Sequence, residues 1–248
     1  CHWAMSLLVR KKYKGRILFI TENFISHEAR FVDSFLTKLG LRFADKFLAL
    51  SKPVEKDLQS IAAGRPIFRS ELPMFDYSLD TRFDGVAERA ALGYTPDDKV
   101  LMFFGYVRKY KGLDILLRAF LLILKQIPEA KLLVVGEFYD KPEIYTDIVR
   151  DNGTLESVKF VNQYVPNEEV GKYFAAADVM VQPYRSATNS GILNVAYSFG
   201  VPAVVTRVGG LVELVTDGET GILVEPESPE AIAEGVVRFY KLRETVNF

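Results

Sequence analysis

Short, predominantly apolar runs alternate with longer stretches of helical period through most of this chain, and that alternation leaves few folds open. The apolar runs span residues 16–21 (RILFIT), 46–51 (KFLALS), 66–73 (PIFRSELP, the weakest), 100–105 (VLMFFG), 131–137 (KLLVVGE), 158–161 (VKFV), 179–184 (VMVQPY), 202–206 (PAVVT) and 221–224 (GILV). Helical stretches lie between them. Residues 27–44 space Phe31, Phe35, Leu36 and Leu39 at the 3.6-residue period, and residues 112–128 put Leu113, Leu116, Leu117, Phe120, Leu124 and Ile127 on one face. Further helices are expected at 54–61 behind Pro53, at 141–153, at 167–177 with Asn167 as its cap, at 190–200, and at 228–240 with Ser228 as cap and Pro229 in the first turn. Strands alternating with such helices make right-handed βαβ units and a parallel sheet. Strands that are apolar throughout, rather than at every second position, are covered by helices on both faces. The fold class is therefore α/β.

The alternation breaks once. Residues 74–99 hold Asp, Gly and Pro without a clear period, apart from one short helical stretch near GVAERAAL. The break divides the chain into residues 1–75, a linker at 76–98, and residues 99–248, with a parallel sheet on each side of it. Such sheets place ligands at the carboxyl ends of their strands, so two facing sheets would hold a ligand in the cleft between them.

Composition narrows the chemistry. Lysine plus arginine number 31 and aspartate plus glutamate 32, a net charge of −1, so nucleic acid is not an expected partner and a basic site must be local. One cysteine, Cys1, excludes an internal disulfide framework, and with only His2 and His27 beside it no zinc site of the usual Cys/His kind can form. A Ser-His-Asp hydrolase would lack its G-x-S-x-G turn. No apolar run approaches the ~20 residues of a membrane helix. The run RKKYKGR at 10–16 is cationic beside apolar WAMSLLV; it reads as a solvated loop before a strand, with a lipid surface as the alternative.

Three loops at strand ends carry candidate chemistry. In FFGYVRKYKGLD, Gly105 and Gly112 free the backbone to approach a ligand, and Arg108 and Lys111 are expected as exposed cations suited to phosphate. The next helix adds the partial positive charge of its N-terminus. A solvated basic loop is the equally weighted alternative. In RVGGLVELV, Gly209 and Gly210 read as a tight turn. In YRSATNSG (184–191) small polar residues open a helix whose first amides could hold an anion, or simply cap it.

In this order and spacing, FFGYVRKYKGLDILLRAF, LLVVGE and ADVMVQPYRSATNSGILNVAYSFGVPAVVTRVGGLVELVTDGETGILVEPESPEAIAE resemble the C-terminal half of the retaining glycosyltransferases called group 1 or family 4, from about residue 100 to 239. The stretch RILFITENFISHEARFVDSFLTKLGLRFADKFLALSKPVEKDL resembles the later half of that family's N-terminal, acceptor-side domain. The resemblance implies a GT-B architecture: two Rossmann-like domains facing a cleft, the N-terminal one incomplete in a partial chain. It implies sugar transfer from a nucleoside diphosphate sugar to an acceptor hydroxyl with retention of configuration, and no metal or other cofactor. The acceptor would be a carbohydrate or lipid-linked molecule, and the location cytoplasmic, with peripheral contact at the inner membrane face as one arrangement.

By position, Arg108 and Lys111 match the family's basic pair on the donor diphosphate, and Gly105 the glycine before it. Tyr164 and Val165 fall where the backbone meets the nucleotide base. Thr188, Asn189, Ser190, Gly191, Ile192 and Leu193 fall where amides meet donor phosphates. Glu22 stands where many relatives carry a histidine facing the reacting sugar, with His27 nearby. The family's two glutamates, eight residues apart, are replaced by Ala187 and Val195, leaving Asn189, Ser190 and Asn194 as candidate substitutes. Two rival readings follow: a sugar-nucleotide epimerase of similar fold, for which the chain is poor in histidine, and a catalytically inactive sugar-nucleotide-binding homologue, which the missing glutamates favour.

Overall fold

The computed structural model describes residues 16–21, 39, 41–73, 83–246 and 248. Glu22, His27, most of the helix expected at 27–44 and most of the cationic run at 10–16 lie outside the described residues. The chain divides into two compact units, Cys1–Pro73 with Ala187–Ser190, and Met74–Ser186 with Gly191–Phe248.

The first unit contains a parallel sheet in the order β1-β2-β3, formed by Leu18–Thr21, Lys46–Ala49 and Ile67–Arg69. Helix α1 (Lys52–Gln59) begins at Ser51, whose hydroxyl oxygen accepts the Val54 amide at 3.5 Å, with Pro53 in its first turn. Its Val54 and Leu58 pack with Leu41, Phe47 and Ala62. Arg65 closes this core at its edge. Its guanidinium lies 4.9 Å over the Phe47 ring and donates to the carbonyls of Leu41 and Ala44, both at 2.8 Å.

The second unit is a six-stranded parallel sheet. Strands β4 (Lys99–Phe104), β5 (Ala130–Val135), β6 (Val158–Val161), β7 (Val179–Gln182), β8 (Ala203–Thr206) and β9 (Gly221–Val224) run in the order β6-β5-β4-β7-β8-β9. Five of β4's residues, Val100 to Phe104, are buried, which explains why the sequence of the strand does not alternate. Helix α2 (Gly85–Ala91) starts at Asp84, whose carboxylate accepts the Val86 and Ala87 amides. It packs against α5 (Asn167–Ala176), so closely that a Cβ on Gly85 would stand 2.8 Å from the Ala175 carbonyl oxygen. The chain from Phe83 onward is thus packed on the second unit rather than spanning free.

Helix α3 (Leu113–Leu124) buries Leu113, Ile115, Leu116, Leu117, Ala119, Phe120 and Ile123. These meet Ile232, Val236 and Phe239 of helix α8 (Pro229–Leu242) in one core with the strands. Helices α4 (Glu143–Asp151), α6 (Gly191–Ser198) and α7 (Leu211–Leu214) complete the unit. Ser228 caps α8 as expected, accepting the Ala231 amide at 3.0 Å. The cap expected at Asn167 is not formed: Asn167 is already the first helical residue, Pro166 precedes it, and no side chain bonds the first turn.

Chain order reverses between β4 and β7: successive crossovers go one way from β4 to β6 and the other way from β7 to β9. At such a switch point two loops diverge at the carboxyl ends of neighbouring strands and leave a crevice, where open α/β sheets take their ligands.

Candidate functional site

The two loops at this switch point are those the sequence singles out. After β4 the chain passes through Gly105 (φ +108°) into a single 3₁₀ turn, Lys109–Lys111, and leaves it at Gly112 (φ +69°) to start α3. Both glycines hold φ values that side-chain-bearing residues rarely adopt. Their neighbours differ. A Cβ on Gly112 would stand 2.0 Å from the Pro183 carbonyl oxygen, so Gly112 lets the β4 loop close onto the β7 loop. A Cβ on Gly105 would stand 2.9 Å from Lys111 Nζ and 3.7 Å from Ile192 Cγ1. Gly105 and Lys111 of the β4 loop therefore meet Ile192, distant in sequence, at one point.

The β4 loop is fastened on its other side too. The Val107 amide donates to the Glu137 carbonyl at 2.9 Å and the Tyr139 amide to the Val107 carbonyl at 3.0 Å. Gly136 allows this approach, since a Cβ there would stand 2.2 Å from the Gly105 carbonyl oxygen. The Arg108 guanidinium lies 4.3 Å over the Tyr139 ring.

The sequence leads one to expect Lys111 exposed, and here the structure differs. Lys111 is only 8% exposed, with its ammonium 5.6 Å over the Tyr184 ring. Burial, and secondarily the positive charge of Arg108, push its pKa down to about 8. Among the described residues no carboxylate pairs with that ammonium. Burying an unpaired cation is costly, and the charged form is lost first unless something negative arrives. Arg108 is half-buried and Lys109 exposed.

One cation that the sequence reading passes over organises the loops. Arg185, just after β7, donates from Nη1 and Nη2 to the two carboxylate oxygens of Asp114, each at 2.8 Å. Asp114 sits in the first turn of α3. Its burial pushes the carboxyl pKa up, but the Arg185 hydrogen bonds and charge outweigh this and hold it below the usual range. A lone arginine in a loop of small residues was the available signal for this pairing; its partner, in the first turn of α3, had none.

The remaining candidates are placed as follows. Tyr164 and Val165 follow β6, two strands from β4 on the same edge, with Tyr164 59% exposed and Val165 buried. Gly191, Ile192 and Leu193 form the first turn of α6. Ser190 is buried, with its amide on the Asn189 side-chain oxygen at 2.8 Å, and the Thr188 hydroxyl is buried without a hydrogen-bond partner. Ala187 and Val195 are buried and apolar, while Asn194 is buried and polar. Among the described residues, no group of three or more His, Cys, Asp or Glu side chains is arranged to hold a metal ion, and no helix is long and apolar enough to cross a membrane.

Comparison with known proteins agrees with this arrangement. Residues 98–241 match the family model described as glycosyl transferases group 1. A D-inositol 3-phosphate glycosyltransferase of Catenulispora acidiphila is 35% identical over 170 residues, which are 65% of this chain and 40% of that protein. An uncharacterized glycosyltransferase of Methanocaldococcus jannaschii is 33% identical over 164 residues, 66% of this chain and 41% of that protein. The chain thus spans less than half the length of these relatives. Among solved structures, Anabaena HepE in complex with UDP-glucose superposes with a TM-score of 0.82 at 19% identity, covering 98% of this chain and 67% of that one. The sucrose-phosphate synthase of Thermosynechococcus elongatus gives 0.77 at 23%, covering 97% and 62%. These neighbours have the GT-B fold, the class expected from the sequence. With the family model spanning more than half of it, the chain belongs to the group 1 glycosyl transferases.

Proposed function

We propose that this chain carries the donor side of a glycosyltransferase that moves a sugar from a nucleoside diphosphate sugar to an acceptor hydroxyl with retention of configuration. One observation carries the reading: at the switch point of the second sheet, a nearly buried lysine ammonium has no carboxylate partner among the described residues. A diphosphate supplies the missing charge. Arg108, with its planar fork, and Lys111, as a compact point charge, suit the two phosphates of one leaving group. The bond from the anomeric carbon to the diphosphate oxygen breaks, and a bond from that carbon to the acceptor oxygen forms on the same face. The acceptor's proton passes to the departing phosphate. Negative charge grows on the diphosphate as it leaves, so fixed cations aimed there favour the transition state over the ground state. This is the work a metal ion does in other transferases, and the reaction proposed here needs none.

The base would lie against the loop holding Tyr164 and Val165, and the phosphates against the first amides of α6. HepE, recorded with UDP-glucose, makes UDP the first nucleotide to try. A carbohydrate or lipid-linked acceptor, and contact with a membrane surface through the run at 10–16, belong to the same proposal. A nucleotide-sugar-binding protein without turnover is a second reading, favoured by the apolar, buried Ala187 and Val195.

The test is a product assay with labelled UDP-, GDP- and ADP-sugars, run on the protein and on Arg108→Ala/Lys111→Ala. Transfer by the protein and none by the double variant is the expected result. Undiminished transfer by the double variant rejects the role of the two cations. Donor binding without any product favours the second reading.

A further inference from the structure

The Arg185 guanidinium spends all of its nitrogens on other parts of the protein. Besides the paired bonds to Asp114, its Nη1 donates to the Lys109 carbonyl at 2.7 Å, and its Nε lies 3.0 Å from Glu227 Oε1. Its backbone amide donates to the Tyr110 carbonyl at 2.8 Å. One side chain therefore ties together three loops at the carboxyl edge of the sheet: the basic loop after β4, the loop after β7 and the loop between β9 and α8. Glu227 reaches it from a backbone with φ +59°, a left-handed conformation that a residue with a long side chain seldom holds and that its surroundings must maintain. The contacts to Lys109 and Tyr110 fall on the two residues just before Lys111. With them and Gly112 against Pro183, the turn carrying Lys111 is held from both ends.

We infer that Arg185 is a positioning residue for the phosphate-binding loop: clamped by Asp114 and Glu227, it holds the Lys109–Lys111 turn so that the Lys111 ammonium stays aimed at the diphosphate without itself touching the ligand. A planar fork suits this task where a lysine would not, because four acceptors in three directions need a rigid arrangement of donors. The clamp also explains how a buried, unpaired ammonium is kept in place: the loop cannot swing out to hydrate it while Arg185 holds the carbonyl two residues before. This inference rests on the diphosphate reading above and adds the residue that shapes the site.

Calorimetry with UDP and with uridine, which lacks the phosphates, tests it, with GDP and guanosine or ADP and adenosine taking their place if that pair binds more tightly. Four proteins are compared at constant salt: the unaltered chain, Arg185→Met, Lys111→Met and the double variant. Arg185→Met is expected to lower diphosphate affinity at least tenfold while leaving nucleoside affinity within twofold. In the Lys111→Met background the same change should cost less than threefold, since Arg185 then has no ammonium to aim. Arg185→Lys should lose about as much as Arg185→Met. Equal losses for UDP and uridine, or losses that multiply in full in the double variant, would mean general damage to the unit and overturn the inference. So would unchanged UDP affinity in an Arg185→Met protein that melts normally. If the unaltered chain binds none of the three diphosphates, or Lys111→Met binds as tightly as it does, the diphosphate reading itself fails, a result distinct from any shown by Arg185 alone.

Discussion

The two edges of the second sheet each bury a charge, and they treat it in opposite ways. At the amino edge Asp178, its side chain 6% exposed, receives Arg89 Nη2 at 2.8 Å, Arg243 Nη1 at 2.6 Å and the Val100 amide at 2.8 Å. Three donors from α2, from the residue after α8 and from β4 converge on one carboxylate. At the carboxyl edge Lys111 is as deeply placed, yet its neighbours are an aromatic face and a second cation. A buried charge is tolerable when paired and costly when not. Asp178 is accordingly a structural joint, complete in the protein alone. Lys111 pairs with no carboxylate among the described residues, and on the proposed reading the partner it lacks is the donor diphosphate.

Breaking the carboxyl edge should have the largest effect, and on binding rather than on folding. Losing one such contact typically costs about 10²–10³ in rate. Arg108→Ala with Lys111→Ala should therefore bring donor turnover below detection in a labelled-sugar assay while the melting temperature holds or rises. A fall in melting temperature would mean that the pair supports the fold and that the contrast between the edges is false.

Asp178→Asn should do the reverse. Breaking a buried pair costs ~3–5 kcal/mol when the remaining charge is sealed in. Here Arg243 is 49% exposed and can hydrate, which places the loss near the lower end, about 3 kcal/mol, in urea unfolding. Nucleotide affinity of the protein that remains folded should not change. A stability loss under about 1 kcal/mol would put Asp178 among ordinary surface pairs.

These two edges were unequally legible. The apolar run at residues 100–105 announces β4, and the leucines of 112–128 announce α3, because burial on both faces and the helical period are written into adjacent residues. The basic loop was legible as a site because glycine and cations sit together at a strand end. Its burial was not: Arg108 and Lys111 both read as exposed, and only the approach of Gly105 and Tyr184 encloses Lys111. The pairings that organise each edge join residues 71 and 78 positions apart, Arg185 to Asp114 and Asp178 to the Val100 amide. No local pattern records them. Asn167 is the converse case, a residue of good capping type that the turn at Pro166 leaves one place too late.

The depressed pKa of Lys111 sharpens the comparison through pH. Its value in the folded protein, about 8, lies below the usual lysine value of 10.5, which the unfolded chain retains. Between these values the unfolded chain holds the proton and the folded one does not, so stability should rise with pH across that window. Diphosphate affinity should run the other way. It should be full below pH 8 and fall as pH rises through it, by at most tenfold per unit, since bound anion holds the proton on. Lys111→Met should give a flat, low profile. A flat profile in the unaltered protein between pH 7 and 9.5 would remove Lys111 from the ligand.

The smallest effect separates the two cations of the carboxyl edge from one another. Lys111 is fixed by burial, whereas Arg108 is half-buried and steadied by the face of Tyr139, itself 53% exposed. A cation over an exposed ring gains roughly 0.5–1 kcal/mol. Tyr139→Leu keeps the backbone bond to the Val107 carbonyl, because that bond uses the Tyr139 amide. It should cost about two- to fivefold in diphosphate affinity, with a melting temperature lowered by no more than about 4 °C and no change in the pH at which affinity falls, because Lys111 is untouched. A loss beyond about twentyfold would show that the ring meets the ligand directly, and no loss at all would show that Arg108 needs no ring to be aimed.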